Sequence, residues 1–301
     1  MNLKLHNTIF ITGASGFVGK NLLNEFENMY TFSIFEKGDI ISISQDIVIH
    51  LAGKAHDLKN TSLKDQYYVV NTELTKVIFD KFLESNARVF ITISSVKAAA
   101  DTLDIVLTEN HIPNPITHYG KSKLLAEEYI LSKEIPQGKR VYILRPCMIH
   151  GPGNKGNLNL LYKIVRKGLP WPLGRFENKR SFCSIDNLCF VINEIIQNDQ
   201  IPSGVYNIAD DEALSTNELI RLIAESQGKK SFIWNTPKSI IKSLSKLGDL
   251  CRLPLNTERL SKLTENYVVS NQKLKNAIHK PLPVCSKKGL LKTLNSFNNA
   301  Q

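Results

Sequence analysis

No window of this 301-residue sequence approaches the ~18 uncharged apolar residues that a membrane span needs, so none is expected. Met1 to Asn7 run straight into an apolar, strand-like stretch, without an apolar h-region and cleavage site. A secretory signal is therefore not expected, and the chain reads as cytoplasmic. Cysteine is sparse: five residues, at 147, 183, 189, 251 and 285, an odd number with no CxxC spacing. That argues against a disulfide framework, and no His, Cys and Asp cluster has zinc spacing, so no metal is expected. Acidic residues are outnumbered, 28 Asp and Glu against 38 Lys and Arg, for a formal charge of +10. Such an excess admits nucleic acid, an acidic membrane surface or an anionic small substrate. Yet the basic residues are spread out. Lys229-Lys230 and Lys287-Lys288 are only pairs, and no aromatic-interleaved basic stripe appears. A generally basic surface is expected, with no nucleic-acid partner. Repeats and low-complexity blocks are also missing. What remains is 42% hydrophobic and 22% charged, a globular composition. The length allows one large domain or two small ones with a full core.

In the first half, short apolar runs alternate with helical patterns. Strands are predicted over Thr8 to Thr12, Thr31 to Glu36, Asp46 to Ala52, Val89 to Ser94 and Arg140 to Leu144. Helices are predicted over Gly19 to Asn28, Gln66 to Ser85 and Tyr119 to Lys133. Near-continuous apolar strands alternating with helices indicate a parallel sheet covered on both faces, an α/β doubly wound fold of Rossmann type. After Arg145 the texture changes. Gly151 to Asn154 reads as a loop, Leu158 to Lys167 as a helix and Gly168 to Gly174 as an irregular turn. Val205 to Ala209 reads as a strand and Ser215 to Glu218 as a capped helix start. Trp234 to Asn266 is basic and partly helical. The expected division is a dinucleotide-binding domain over 1–150, rejoined by segments near 182–210, and a smaller, discontinuous C-terminal substrate lobe made mainly of 151–301.

Between the first strand and helix lies Thr12-Gly13-Ala14-Ser15-Gly16-Phe17-Val18-Gly19. Glycine removes the Cβ where a tight turn needs unusual dihedrals and where a pyrophosphate approaches the backbone. The following helix N-terminus offers free N–H groups and a positive dipole end. The spacing is G-x-x-G-x-x-G rather than G-x-G-x-x-G. In its strand–turn–helix context this loop predicts dinucleotide binding, with a structural glycine turn as the bland alternative. An acidic residue at the end of the second strand would bind the adenosine ribose, and Glu36 fits. Lys37 beside it could instead favour a 2′-phosphate, and Glu36 could be a merely solvated strand end. The chain from Glu36 to Asp46 is too short for an extra strand and helix.

Tyr119 and Lys123 stand at i and i+4 of a predicted helix and share a face. A phenol with a reference pKa near ~10 is a poor base at neutral pH. A nearby cation stabilises phenolate, and Lys123 with an oxidised nicotinamide is expected to lower the Tyr119 pKa. Spacing alone is commonplace. It gains weight from the glycine loop about a hundred residues upstream and from a strand ending in Ser94-Ser95.

These motifs in this order resemble the extended short-chain dehydrogenase/reductase superfamily, in its nucleotide-sugar epimerase/dehydratase branch. The matching stretches are TGASGFVG (12–19), VIHLAG (48–53), VVNTELT with Asn71, ISSVK (93–97), YGKSK (119–123), LRPCMIHGPG (144–153) and KRSFCSIDNL (179–188). More narrowly, ISSVK, GLPWPLG (168–174) and NKRS (178–181) resemble the bacterial UDP-N-acetyl-quinovosamine 4-reductases of polysaccharide synthesis.

The resemblance implies NAD or NADP as cofactor and a UDP-sugar as substrate; a homodimer is expected. It implies Tyr119 as acid/base, Lys123 as the ribose ligand that tunes it, and Ser95 as hydrogen-bond partner of the reacting sugar oxygen. Gly13, Ser15, Gly16, Phe17, Val18, Gly19 and Glu36 would hold the cofactor, with Leu51, Ala52, Gly53 and Asn71 lining its cleft. Asn157 and Arg180 would hold the UDP diphosphate, Arg259 would add a second contact, and Pro170 to Leu173 would border the uracil. Lys97 and His56 are further substrate candidates. Arg180 could instead pair with Asp186 at the lobe junction.

The sequence departs from the family in four places. Ala99-Ala100 stands for a frequent Tyr-Gly, Met148 for a substrate-binding Asn, His150 for a common Tyr, and Asn187 for the second Asp of Val-Asp-Asp. Met148 weighs against a simple epimerase. The expected reaction is therefore reduction of a C4 ketone on a UDP-linked amino sugar. A UDP-hexosamine or UDP-glucose-type 4-epimerase is the alternative. A non-catalytic dinucleotide-binding protein would not need Ser95, Tyr119 and Lys123 intact. A 4,6-dehydratase would carry Thr-Asp-Glu where this chain has Ser95-Val96-Lys97. Among other tempting residues, His50 reads as a packed core histidine and His118 as facing away from Tyr119. Asp101, Asp104 and Glu109 read as loop charges rather than a glycosidase pair.

Overall fold

The computed structural model describes residues 7–54, 64–154, 157–251 and 256–297. The N-terminal half is built from β1 (Thr8–Thr12), α1 (Phe17–Phe26), β2 (Thr31–Phe35), β3 (Ile47–His50), α2 (Lys64–Tyr67), a π-helical turn (Tyr68–Glu73), α3 (Leu74–Glu84), β4 (Val89–Ile93), α4 (His118–Leu131) and β5 (Arg140–Pro146). There follow β6 (Met148–His150), α5 (Asn157–Arg166), β7 (Phe182–Ser184), α6 (Ile185–Gln197), β8 (Gly204–Ile208), α7 (Thr216–Ser226), α8 (Lys238–Cys251), α9 (Thr257–Thr264), α10 (Gln272–Ile278) and α11 (Ser286–Ser296). Six strands form one sheet in the order β2-β1-β3-β4-β5-β8, all pairs parallel.

Side chains alternate across that sheet. Ile9, Ile11, Ile47, Ile49, Ile91, Tyr142 and Leu144 face a core closed by Leu22 and Phe26 of α1 and by the apolar side of α6. Phe10, Val48, Phe90, Val141 and Ile143 face the opposite core, closed by Ile78, Phe79 and Phe82 of α3 and Ile130 of α4. Both faces of the inner strands are covered, so β1, β3 and β4 are largely apolar while the edge strand β2 is partly exposed, and the fold is the doubly wound Rossmann type. Strand order reverses at β1 and β3, and the loops after these two strands open the crevice where such sheets bind ligands. A separate core of Leu158, Tyr162, Trp171, Leu173, Leu219, Ile223, Ile241, Leu260, Leu290 and Leu294 forms the second lobe. Cys183 to Ala209 and Tyr267 to Leu282 contribute instead to the core on the sheet. The Ser215–Glu218 capping box at the start of α7 is formed in both directions.

The predicted helix over Gln66 to Ser85 is interrupted by the π-helical turn, which hydrophobic spacing does not reveal. Predicted strand and helix ends otherwise shift by a few residues. The small β6·β7 sheet was not foreseen, because each strand has three residues.

Candidate active site

The first wall of the crevice is the loop from β1 to α1. Gly13 has φ +72°, in the left-handed region, and a Cβ there would lie 2.5 Å from the Ala52 nitrogen. A Cβ on Gly19 would lie 2.5 Å from the Gly13 carbonyl oxygen. Backbone packing thus requires both glycines. Gly16 differs: its φ is −72°, and an added Cβ would meet only the Gly13 oxygen, at 3.2 Å. The start of α1 carries no side-chain cap and no acidic residue in its first turn. Its N–H groups and dipole are available to an anion, and the chain beside them, Ser15 and Gly16 with half-buried Phe17 and Val18, is accessible. These residues fit a pyrophosphate. Gly16→Val is therefore expected to keep the melting temperature close to the parent's while cofactor binding, read by calorimetry, is lost. Unchanged affinity would make the loop purely structural.

Leu51, Ala52 and Gly53 form the second wall, clamped from both ends. The Thr12 hydroxyl accepts from the Ala52 N–H at 3.1 Å and meets His50 Nδ1 at 2.7 Å. His50 Nε2 meets the Thr75 hydroxyl at 2.9 Å. Burial, helped by the Lys123 charge, lowers the His50 pKa to about 3, so the ring is a neutral strut between β1 and α3. Asn71, in the π-helical turn, accepts from the Lys54 N–H at 2.7 Å and donates to the Lys54 carbonyl at 3.1 Å and to Ser122 Oγ at 3.0 Å.

Opposite stands α4. Thr117 caps it by accepting from the Gly120 N–H at 3.1 Å. The Asp101 carboxylate accepts from the Ile116 and Thr117 N–H groups at 2.6 and 2.9 Å and from the Thr117 hydroxyl at 3.0 Å. Asp101 is thus a loop charge that fixes the helix start. A Cβ on Gly120 would lie 2.5 Å from the Lys97 carbonyl, so α4 begins pressed against the loop that carries Ser95. Ser95 is hydrogen-bonded to the Tyr119 side chain. Burial raises the Tyr119 pKa above the ordinary phenol value, and the Ser95 bond only partly offsets it. Desolvation is the largest influence among the protein groups; the lowering expected from the sequence also called on the charge of an oxidised nicotinamide. His118 instead meets the Tyr68 hydroxyl at 3.0 Å.

One turn on, the Lys123 ammonium donates to the Ile93 carbonyl at 2.9 Å, and a Cβ on Gly53 would lie 3.0 Å from it. Burial lowers its pKa to about 8, against an upward pull from Glu127. Glu127 itself accepts from Arg145 Nε at 3.0 Å, in a buried ion pair, and from the Ser94 hydroxyl. Sequence reading missed Glu127, although its position four residues after Lys123 signals a shared helix face.

Toward the second lobe, the Lys97 ammonium donates to the Asp101 carbonyl at 2.6 Å and sits 4.0 Å from the centre of the Tyr267 ring. Burial lowers its pKa, and the charges of Glu265, Asp101 and Arg180 all reach it. Arg180 bonds the Lys262 carbonyl and lies 3.9 Å from the Glu265 carboxylate. Asp186 pairs with Lys292 at 2.7 Å, so the alternative Arg180–Asp186 pairing is corrected. Ser95 Oγ accepts from the Lys97 N–H at 3.2 Å, and the Arg180 charge reaches Lys97 in turn. Pro170 is half-buried, Leu173 packs inside the lobe core, and Arg259 is exposed in the first turn of α9. Glu36 is exposed just past β2. His56 and the side chain of Asn157, the first residue of α5, lie outside the described residues. His150 is buried against Thr293 at 2.9 Å, and Asn187 donates to Asp210 at 2.6 Å. These two departures from the family pattern are absorbed as internal hydrogen bonds.

The model of the NAD dependent epimerase/dehydratase family matches residues 9–209. A UDP-glucose 4-epimerase of Vibrio cholerae is 32% identical over 268 residues, covering 79% of this chain and 80% of that protein. An N-acetyl-alpha-D-glucosaminyl-diphospho-ditrans,octacis-undecaprenol 4-epimerase of Escherichia coli O157:H7 is 28% identical over 90% of this chain and 85% of its own length. Among solved structures, RMD from Pseudomonas aeruginosa complexed with NADPH superposes with a TM-score of 0.73 at 22% identity, covering 98% of this chain and 100% of that one. The Bordetella bronchiseptica enzyme WbmG in complex with NAD gives 0.76 at 15% identity, covering 100% and 96%.

Proposed function

Because the chain belongs to the NAD dependent epimerase/dehydratase family, we propose that it reduces a C4 ketone on a UDP-linked amino sugar. The observation that carries this reading is the Ser95–Tyr119 hydrogen bond with Lys123 one turn away. NAD or NADP, when bound, supplies the hydride. The raised Tyr119 pKa keeps the phenol protonated at neutral pH, as a general acid must be. Tyr119 would pass its proton to O4 as the carbonyl π pair moves onto that oxygen, balancing the hydride supplied to C4. The resulting phenolate takes a proton back from solvent. Ser95 donates to the same developing alkoxide, a fixed dipole that needs no reorganisation. Lys123 uses one of its three N–H donors on Ile93, leaving the others for the ribose hydroxyls of the cofactor. Gly13 to Gly19, Glu36, Leu51 to Gly53 and Asn71 hold the dinucleotide. The lobe made mainly of 151–301 holds the sugar nucleotide through Arg180, Asn157 and Arg259, with Pro170 and Leu173 toward the base, and Lys97 joins them from the loop after β4.

A 4-epimerase uses the same groups twice, removing and returning hydride, and the two relatives named above favour that second reading. Mass spectrometry with a UDP-4-keto-sugar and each reduced cofactor separates them. A reductase gains two hydrogens per sugar and consumes NAD(P)H. An epimerase interconverts UDP-hexosamines with no net use of cofactor. No reaction in either assay would sink both.

Arg180→Ala is expected to weaken UDP and UDP-sugar roughly 10–150-fold, the loss of one charge-assisted contact. NAD(P)H affinity should hold. Arg180→Lys should recover only part of the loss, because a point charge lacks the guanidinium fork. Undiminished UDP affinity, by calorimetry, would remove Arg180 from the site.

A further inference from the structure

The exposed side of α8 is mixed, apolar along one flank and lysine-bearing along the other, with Ser239, Ser243 and Leu250 between. Ile241, Ser245 and Gly248 face the lobe and are buried. At ~100° per residue the neighbouring arc holds Ile240, Leu244 and Leu247, with Leu250 beyond. These side chains are 50%, 49%, 49% and 82% exposed. On the other side of the buried stripe, reaching round toward the outer face, run Lys238, Lys242 and Lys246, at i, i+4 and i+8. The chain leading into α8 continues this character. Phe232 and Trp234 alternate with Ile233, which packs on the lobe core, so both aromatics turn outward, 61% and 59% exposed. Phe232 also lines a cavity of about 220 Å³ with Leu169, Lys229 and Lys230. From 229 to 251 there are five lysines and one acidic residue, Asp249, a net charge of 5 − 1 = +4.

We propose that the outer face of α8, with Trp234 at its approach, docks on the headgroup region of an anionic lipid bilayer. Apolar residues along one side of a helix and lysines along the other, with an aromatic at one end, are the pattern of a helix lying in a membrane interface. Leucines enter the acyl boundary while lysine stems reach anionic headgroups. Five lysines against one carboxylate over 229–251 give this stretch charge complementarity to an anionic surface. Among the described residues no helix is long and apolar enough to cross a membrane, so the contact is peripheral. The inference stands apart from the reaction proposed above, because lipid binding is measured without substrate.

Flotation of the full chain with phosphatidylethanolamine–phosphatidylglycerol vesicles tests it. The protein is expected to float with these vesicles and not with phosphatidylcholine alone. The double variant Leu244→Glu/Leu247→Glu should stay at the bottom of the gradient while keeping the parent's circular dichroism and NAD(P)H affinity. Lys242→Ser/Lys246→Ser should weaken binding roughly 30-fold. The sequence has two tryptophans, and Trp171 is buried, so a blue-shifted emission on adding vesicles reports Trp234 and should vanish in Trp234→Phe. Three results would each overturn the proposal: no flotation with anionic vesicles, flotation indifferent to the Leu244/Leu247 change, or a lipid-free dimer that this change converts to monomer.

Discussion

Tyr119→Phe should lower turnover by ~10²–10⁴-fold while NAD(P)H affinity stays within several-fold of the parent. The substitution removes one oxygen and little volume. The ring keeps its edge-on packing against Tyr67, whose centroid is 6.2 Å away. Ser95 still has the Lys97 N–H at 3.2 Å to hold it, and α4 keeps its Thr117 cap. What disappears is the proton held beside Ser95. A phenol kept protonated by burial is the acid of the reductive direction, so the loss should fall on kcat rather than on cofactor binding. Stopped-flow hydride transfer and a separate fluorescence titration with NADPH distinguish the two. Turnover near the parent's would remove Tyr119 from the chemistry. An equal loss of cofactor affinity would mean that the ring mainly shapes the crevice.

The doubly wound sheet could be read from the sequence because its strands are buried on two sides. Runs such as Thr8–Thr12 and Ile47–His50 are apolar without alternation, and each is followed by a helical period. The glycine loop was readable for a related reason: Gly13 and Gly19 are demanded by backbone contacts that no side chain would survive. Long-range electrostatics were not readable. That burial outweighs hydrogen bonding at Tyr119 depends on everything packed around the hydroxyl, which spacing does not encode. The partners of Arg180 are equally non-local, Lys262 and Glu265 being brought in by a chain segment more than eighty residues away. The exposed apolar arc of α8 was hidden for the opposite reason. An amphipathic period tells that one face is buried, but here the leucines lie outside that face, and only the packed lobe shows which side is which.

Glu127→Gln should cost both stability and the alkaline range of the enzyme. The Glu127 carboxylate and the Arg145 guanidinium are 1% and 4% exposed as residues, and they form a buried ion pair. Breaking such a pair from one side leaves a buried charge without its counter-charge, which costs about 3–5 kcal/mol. For a chain of this length that is a melting temperature lower by roughly 5–8 °C. The same carboxylate is the group that raises the Lys123 pKa against desolvation, which already holds it at about 8. Without it the ammonium should lose its proton at lower pH. The sign follows from linkage: a lysine depressed below its unfolded value is charged in the folded protein only below its folded pKa. Ribose binding that needs the charged form is therefore lost as pH rises through that value. NAD(P)H affinity in the parent should fall above about pH 8, and in Glu127→Gln the fall should begin at lower pH. Glu127→Asp, which restores charge with a shorter reach, should return the pH limb more fully than the melting temperature. A variant that melts early but keeps the parent's pH profile would reduce Glu127 to a structural partner of Arg145. A variant with an unmoved melting temperature would show that the pair is not the buried contact described here.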